Sequence, residues 1–167
     1  LTWCGWHCES YDFAIDSNHN MLNKDTQVHL LEKVPSADLT FIGQCCKTLS
    51  RIRERPIPGH PNPPQPLRSE EHVRGLPGLS SRNQQRVDDT NRLVDFVSLL
   101  IKRVVQCGNA FGLENPSNSW LWLLLTLMED FWAHGWIDTF YVACASAGAR
   151  CKRQTIRHNV EEFRKVE

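Results

Sequence analysis

No stretch of this chain is apolar for long enough to cross a bilayer. The longest apolar run, Trp120 to Leu125 and on through Leu127 and Met128, falls well short of the roughly 20 residues a spanning helix needs, so no membrane partner is expected. An excess of one charge is missing as well: 19 Lys and Arg stand against 19 Asp and Glu. Any surface that attracts a polyanion must therefore be local. The opening Leu1-Thr2-Trp3-Cys4-Gly5-Trp6 has no basic stretch leading into an apolar one, and no secretory leader is expected. The seven cysteines are an odd number and read as free thiols of a reducing, intracellular compartment rather than a disulfide framework. Cys4, His7 and Cys8 have ligand-like spacing, but no second tight pair of Cys or His follows. No metal is expected on that ground, and a small zinc-stabilised module built on Cys4, Cys8 and further thiols is the alternative. Internal repeats are absent too.

What is present suits one domain. At 167 residues the chain is long enough for a core of its own, and residues 1–167 read as a single domain, incomplete at its N-terminus. Phe13-Ala14-Ile15-Asp16 reads as a short buried strand ending in an acid, an arrangement in which a carboxylate meets a ribose. Lys24 to Val34 suits helix and strand equally. Asp38-Leu39-Thr40-Phe41-Ile42-Gly43 reads as a strand closing on a glycine turn. Prolines crowd Pro56 to Leu79, which predicts a long extended loop over about residues 55–80. Leu93, Phe96, Val97, Leu100, Ile101, Val104 and Val105 recur at helical spacing within Asp88 to Val105, and Cys107-Gly108 is the stop. Ala110 to Leu113 is a third strand, Ser117 to Gly135 a second helix and Trp136 to Cys144 a fourth strand. This alternation predicts an α/β layer with a mostly parallel sheet.

Three segments carry candidate chemistry. Glu114-Asn115-Pro116 ends a strand at the carboxyl edge where open α/β sheets place their sites, and a carboxyl group partly withdrawn from water is suited to acid work. The plainer reading is a strand end that caps the next helix. Cys46 follows the second strand and precedes Lys47, Arg51, Arg53 and Arg55, cations that favour a thiolate nucleophile. The plainer reading is a small buried cysteine. Arg150, Lys152, Arg153 and Arg157 follow Gly148 and suit phosphate contact or a bidentate grip on a carbonyl, against a solvated basic face as the plainer reading. With Arg51 and Arg53 they would flank one cleft and attract nucleic acid.

This order of a Cys loop, a Glu-Asn strand end and an arginine-rich segment resembles the cytosine-C5 DNA methyltransferases, whose motifs are Pro-Cys, Glu-Asn-Val and Gln-x-Arg-x-Arg. A closer similarity, spanning about Ala14 to Asn159, is to methyltransferase-like proteins of large eukaryotic genomes. It is carried by Cys46-Lys47-Thr48-Leu49-Ser50-Arg51-Ile52-Arg53-Glu54, Pro66-Leu67-Arg68-Ser69-Glu70, Gly75-Leu76-Pro77-Gly78-Leu79, and Glu114-Asn115-Pro116 with Ser119-Trp120-Leu121-Trp122. The resemblance implies a Rossmann-like methyltransferase sheet, S-adenosylmethionine as cofactor, DNA as partner and the nucleus as location. It implies that Cys46 adds to C6 of a flipped-out cytosine, that Glu114 holds N3 and the amino group, and that Arg150 or Arg153 fixes the ring carbonyl. Asp16 would meet the cofactor ribose, Asp38 would lie near the adenine, and Arg51, Arg53 and Lys152 would contact the nucleic acid. The chain departs from the family in having Cys45 where Pro precedes the nucleophile, and in having no glycine-rich turn before Asp16. The rival reading is a degenerate domain that binds nucleic acid or a protein partner without catalysis.

Overall fold

Gly5, with φ of +85°, supplies the left-handed residue a tight hairpin needs, and two short strands, β1 (Thr2–Trp3) and β2 (Trp6–His7), pair antiparallel across it. The computed structural model describes residues 2–3, 5–54, 59, 64–126, 135–142 and 153–166. Phe13-Ala14-Ile15 is a turn, not the expected strand. Asp12 O accepts from Ile15 N and Asp16 N, both at 3.0 Å, and Asp12 Oδ1 accepts from Ala14 N at 2.8 Å. An aspartate that satisfies its own neighbours competes with a strand ladder, and Phe13 and Ile15 stay 60% and 74% exposed.

The ambiguous segment is helical: α1 (Lys24–Lys33) is capped by the Asn23 side chain on Asp25 N, with Asp25 in its first turn and Lys33 in its last, the charge order a helix dipole favours. Strand β3 (Leu39–Gly43) follows as expected. Helix α2 (Ser81–Gln106) starts earlier than the apolar spacing suggests, because Ser80 caps it through Asn83 N, and Gly108 with φ of +74° follows its end. Val87, Thr90, Val94, Val97, Ile101 and Val104 form its buried stripe at the three- and four-residue steps of one helix face. Strand β4 (Ala110–Pro116), helix α3 (Trp120–Thr126), strand β5 (Ile137–Val142) and strand β6 (Arg153–His158) complete the α-helices and strands of the described residues. The core joins Phe111 and Leu113 of β4 to Val94, Ile101 and Val104 of α2 and to Leu121 and Leu125 of α3.

The sheet runs β3-β4-β6-β5. Among the described residues only β3 and β4 pair in parallel, while β6 is antiparallel to both its neighbours, so the sheet is mixed and not the expected mostly parallel, Rossmann-like sheet. The element responsible is β6, which lies within the segment read as an arginine cluster. Its strand pattern is hidden because its inward groups are polar. Arg157, 9% exposed, donates to its cross-strand partner Asp138 from Nε and Nη2, at 2.8 and 2.7 Å. His158 is fully buried; its Nδ1 accepts from Val160 N, which leaves the proton on Nε2, 2.9 Å from Thr139 Oγ1.

Residues 55–58 and 60–63 of the expected proline-rich loop lie outside the described residues. Residues 64–80 hold no helix or strand, yet Leu67, Arg68 and Val73 are buried. Arg68 is 2% exposed. It donates from Nε to Thr48 O at 3.0 Å, from Nη2 to Thr48 Oγ1 at 3.1 Å, and from Nη1 to Asn91 Oδ1 at 2.9 Å and to Val73 O. Burial, reinforced by the nearby charge of Arg74, pushes its guanidinium down to about 10. Replacing it strands several buried acceptors at once. Arg68→Met is expected to cost about 2–4 kcal/mol of stability in urea unfolding, and Arg68→Lys, whose point charge lacks the planar fork, is expected to recover only part of it.

Candidate functional site

Parallel pairing sets Gly43 opposite Glu114, so β3 and β4 end on the same edge of the sheet. Past Gly43 the chain turns sharply: Leu49 N and Ser50 N both donate to Cys46 O, at 3.1 and 2.8 Å. Three parts of the chain hold this turn. Arg68 takes Thr48; Ser119 Oγ and Trp120 N donate to Leu49 O, at 3.2 and 2.9 Å; and Asn115 Nδ2 donates to Gln44 O at 2.7 Å. The strand end and the cysteine loop are thereby stitched together.

Between them lies a cavity of about 150 Å³, walled by Gly43, Gln44 and Cys46 on one side and by Glu114, Asn115 and Pro116 on another. Gln154 of β6, opposite Pro116 in the ladder, closes it. Cys46 and Glu114, distant in sequence, line the same space. Cys45 is exposed and does not line it. Tyr141 of β5 donates its hydroxyl to Glu114 Oε1 at 2.7 Å, which fixes one carboxylate oxygen. The phenol is pushed up to about 12, first by burial and then by the hydrogen bond and charge of Glu114.

Gln44 Nε2, Asn115 Oδ1 and Gln154 Oε1 are buried without a hydrogen-bond partner, three of the five such side-chain atoms among the described residues. Asn115 is 2% exposed. An unpaired buried polar group costs about 1–3 kcal/mol and calls for an explanation. The three residues that carry them, Gln44, Asn115 and Gln154, all line this cavity.

The other predicted site residues are placed elsewhere. Arg153 is exposed at the start of β6 and does not line the cavity. Arg150 and Lys152 lie outside the described residues. Arg51 stacks its guanidinium 3.7 Å over Trp120 and lies 3.6 Å from Glu70, against the cysteine turn but not in the cavity. Arg53 sits in the same short turn, Arg51–Glu54. Asp16 caps the turn at Ser17–His19 by accepting from Asn18 N at 2.8 Å. Asp38 precedes β3, its carbonyl accepting from Ala110 N at 3.0 Å. The five residues of β3, about 17 Å at ~3.3 Å per residue, separate it from the cavity edge. Cys4 lies outside the described residues, and among those described no group of His, Cys, Asp and Glu is placed to hold a metal.

Sequence reasoning passed over Gln44, Gln154 and Tyr141. The two glutamines stood beside Cys46 and Arg153 with no signal of their own, and Tyr141 lay inside the segment expected as the fourth strand, Trp136 to Cys144. The sign of the Tyr141 shift is testable: a phenol raised in the folded state contributes stability that is complete below its unfolded value near 10 and is lost as pH climbs through about 12. In ultraviolet titration of the phenolates, Tyr141→Phe is expected to remove the step near 12, and Glu114→Gln to move it downward without restoring the ordinary value, since burial is the larger cause.

Among the described residues no helix is long and apolar enough to cross a membrane. No protein-family model, curated protein or solved structure matches the chain.

Proposed function

We propose that the chain is a cytosine-C5 DNA methyltransferase-like domain in which the cavity beyond β3 and β4 receives one extruded pyrimidine. The observation that carries this reading is that Cys46 and Glu114 line one cavity of about 150 Å³, about the volume in which an engineered protein cavity takes up a benzene ring. A duplex base reaches such a site only by leaving the stack, at a cost of a few kcal/mol. The Cys46 thiolate then forms an Sγ–C6 bond, the C5–C6 π pair moves onto C5 and into the ring, and N3 takes up a proton that the Glu114 carboxylate relays from solvent. The product is a neutral adduct, nucleophilic at C5, and the reverse sequence returns the thiolate and the free base. Tyr141 keeps the Glu114 carboxyl group in place through Oε1. Arg51, Arg53 and Lys152 are the proposed contacts to the DNA backbone, and the nucleus is the proposed location.

S-adenosylmethionine supplies the methyl group in this chemistry when bound. The residues proposed to hold it do not fit that role here: Asp16 caps a turn and Asp38 lies at the far end of β3, and neither lines the cavity. That placement favours a second reading, in which the domain binds nucleic acid at this edge without transferring a methyl group.

An oligonucleotide bearing 5-azacytosine separates the two, because thiolate addition to its electron-poor C6 needs no methyl donor. The wild type is expected to give a covalent complex that survives denaturing electrophoresis, Cys46→Ser none, and Glu114→Gln a rate lower by about 100-fold. Salt-sensitive binding with no adduct would establish the non-catalytic reading instead. Neither adduct nor binding would remove both.

A further inference from the structure

Cys46 is flanked, two residues away on either side, by a carbonyl that a buried side chain holds. Asn115 Nδ2 donates to Gln44 O at 2.7 Å and Arg68 Nε donates to Thr48 O at 3.0 Å, and Asn115 and Arg68 are each 2% exposed. Two residues of chain span at most about 7 Å, so the backbone that carries the thiol is pinned at both ends over a short distance. Asn115 lines the cavity and Arg68 does not. Whatever Arg68 does to Cys46 it therefore does through Thr48, whose hydroxyl it also takes, from Nη2 to Oγ1 at 3.1 Å.

The group that holds Thr48 is itself held from the opposite side. Arg68 Nη1 donates to Val73 O and, at 2.9 Å, to Asn91 Oδ1 on α2. The Asn91 amide is oriented at both ends, because its Nδ2 donates to Arg74 O at 2.8 Å; turned over, it would set donor against donor and acceptor against acceptor. A guanidinium is a planar, rigid fork, so its bonds to Val73 and Asn91 decide the direction of its bonds to Thr48. A continuous line of directed hydrogen bonds thus runs from Asn91 on α2 through Arg68 to the turn that carries Cys46.

We propose that Arg68 is a positioning residue for Cys46 and that Asn91 extends this role to α2, the two together aiming the thiol at the ring bound in the cavity. This assignment rests on the pyrimidine reading of the cavity. Attack on a ring carbon needs the sulfur close to it and aligned with it, and a misplacement on the order of 1 Å made far from the chemistry lowers the rate by about 100-fold. A small, freely diffusing electrophile makes no such demand, because it approaches the sulfur from whichever side is open. Loosening Thr48 therefore leaves the thiol reactive but poorly aimed, and the two kinds of reaction part company.

Two reactions of Cys46 are compared in each protein. One is adduct formation with a saturating oligonucleotide bearing 5-azacytosine, read as the rate constant of the time course so that an unfolded fraction lowers the amount but not the rate. The other is alkylation by iodoacetamide without oligonucleotide, followed on the Cys46 peptide by mass spectrometry. Arg68→Lys, which keeps the charge without the fork, and Asn91→Leu, which leaves Arg68 in place without its anchor on α2, are each expected to slow the adduct by about 10- to 100-fold and to leave alkylation at the wild-type rate or faster. Thr48→Ser, which keeps the hydroxyl acceptor, is expected to react with the oligonucleotide as the wild type does, and Thr48→Val to be slowed. Arg74→Gln removes only the ion pair with Asp95, leaves the Arg74 carbonyl for Asn91, and is expected to match the wild type in both reactions. Wild-type adduct rates in both Arg68→Lys and Asn91→Leu, an equal slowing of both reactions in them, or an equal slowing in Arg74→Gln overturns the assignment, while the Cys46-dependent adduct of the wild type keeps the pyrimidine reading in force. Absence of that adduct from the wild type removes the reading and the assignment with it.

Discussion

Arg68 donates from a position 2% exposed to Thr48, Val73 and Asn91, and these partners belong to three separate parts of the chain. Thr48 sits in the turn that carries Cys46, Val73 in the segment before α2, and Asn91 on α2 itself. None of the three contributes a carboxylate, so the guanidinium is buried on neutral acceptors alone. Such a charge is expensive to desolvate, and its lowered affinity for the proton reflects that. What a planar fork offers in return is several directed bonds from one rigid group. Without it the cysteine turn would have to be held by Ser119, Trp120 and Asn115 from the β4–α3 side only.

Rigidity on that edge matters because the cavity is otherwise unfavourable. Gln44 Nε2, Asn115 Oδ1 and Gln154 Oε1 are buried without protein partners among the described residues. Asn115 cannot turn without giving up Gln44 O. Glu114 is held through Oε1 by Tyr141. Side chains fixed by such bonds lose little freedom when a ligand binds, which is the physical meaning of a prepared site.

The sequence made some of this legible. Leu39–Gly43, the stripe of α2 and the run through Glu114 carry their structure in local periodicity, and Cys46 and Glu114 could be assigned to one site because both stand at strand ends on what proved to be the same edge. Phe13-Ala14-Ile15-Asp16 misleads because apolarity says nothing about the competing Asp12 side chain, which turns the backbone before a strand can pair. Strand β6 escapes because periodicity looks for apolar residues facing inward, and this strand buries Thr155, Arg157 and His158 instead. Arg157 is paired there with Asp138 on the neighbouring strand and lies 5.0 Å over the Trp122 ring, long-range contacts that no local window contains. Tyr141 and Gln154 become site residues through the same ladder, which is why they carried no signal of their own.

The reversal of β6 has a consequence for the site itself. Because β6 runs against β4, its amino end, not its carboxyl end, lies at the edge where β4 finishes, and Gln154 pairs with Pro116. Because β5 runs against β6 in turn, its carboxyl end comes back to that edge, and Tyr141 pairs with Gln154. A parallel strand in the place of β6 would carry its first residues to the opposite edge, beside Asp38, and would leave Glu114 without its hydroxyl partner and the cavity without its third wall. The strand that makes the sheet mixed is therefore the one that completes the cavity around Cys46 and Glu114.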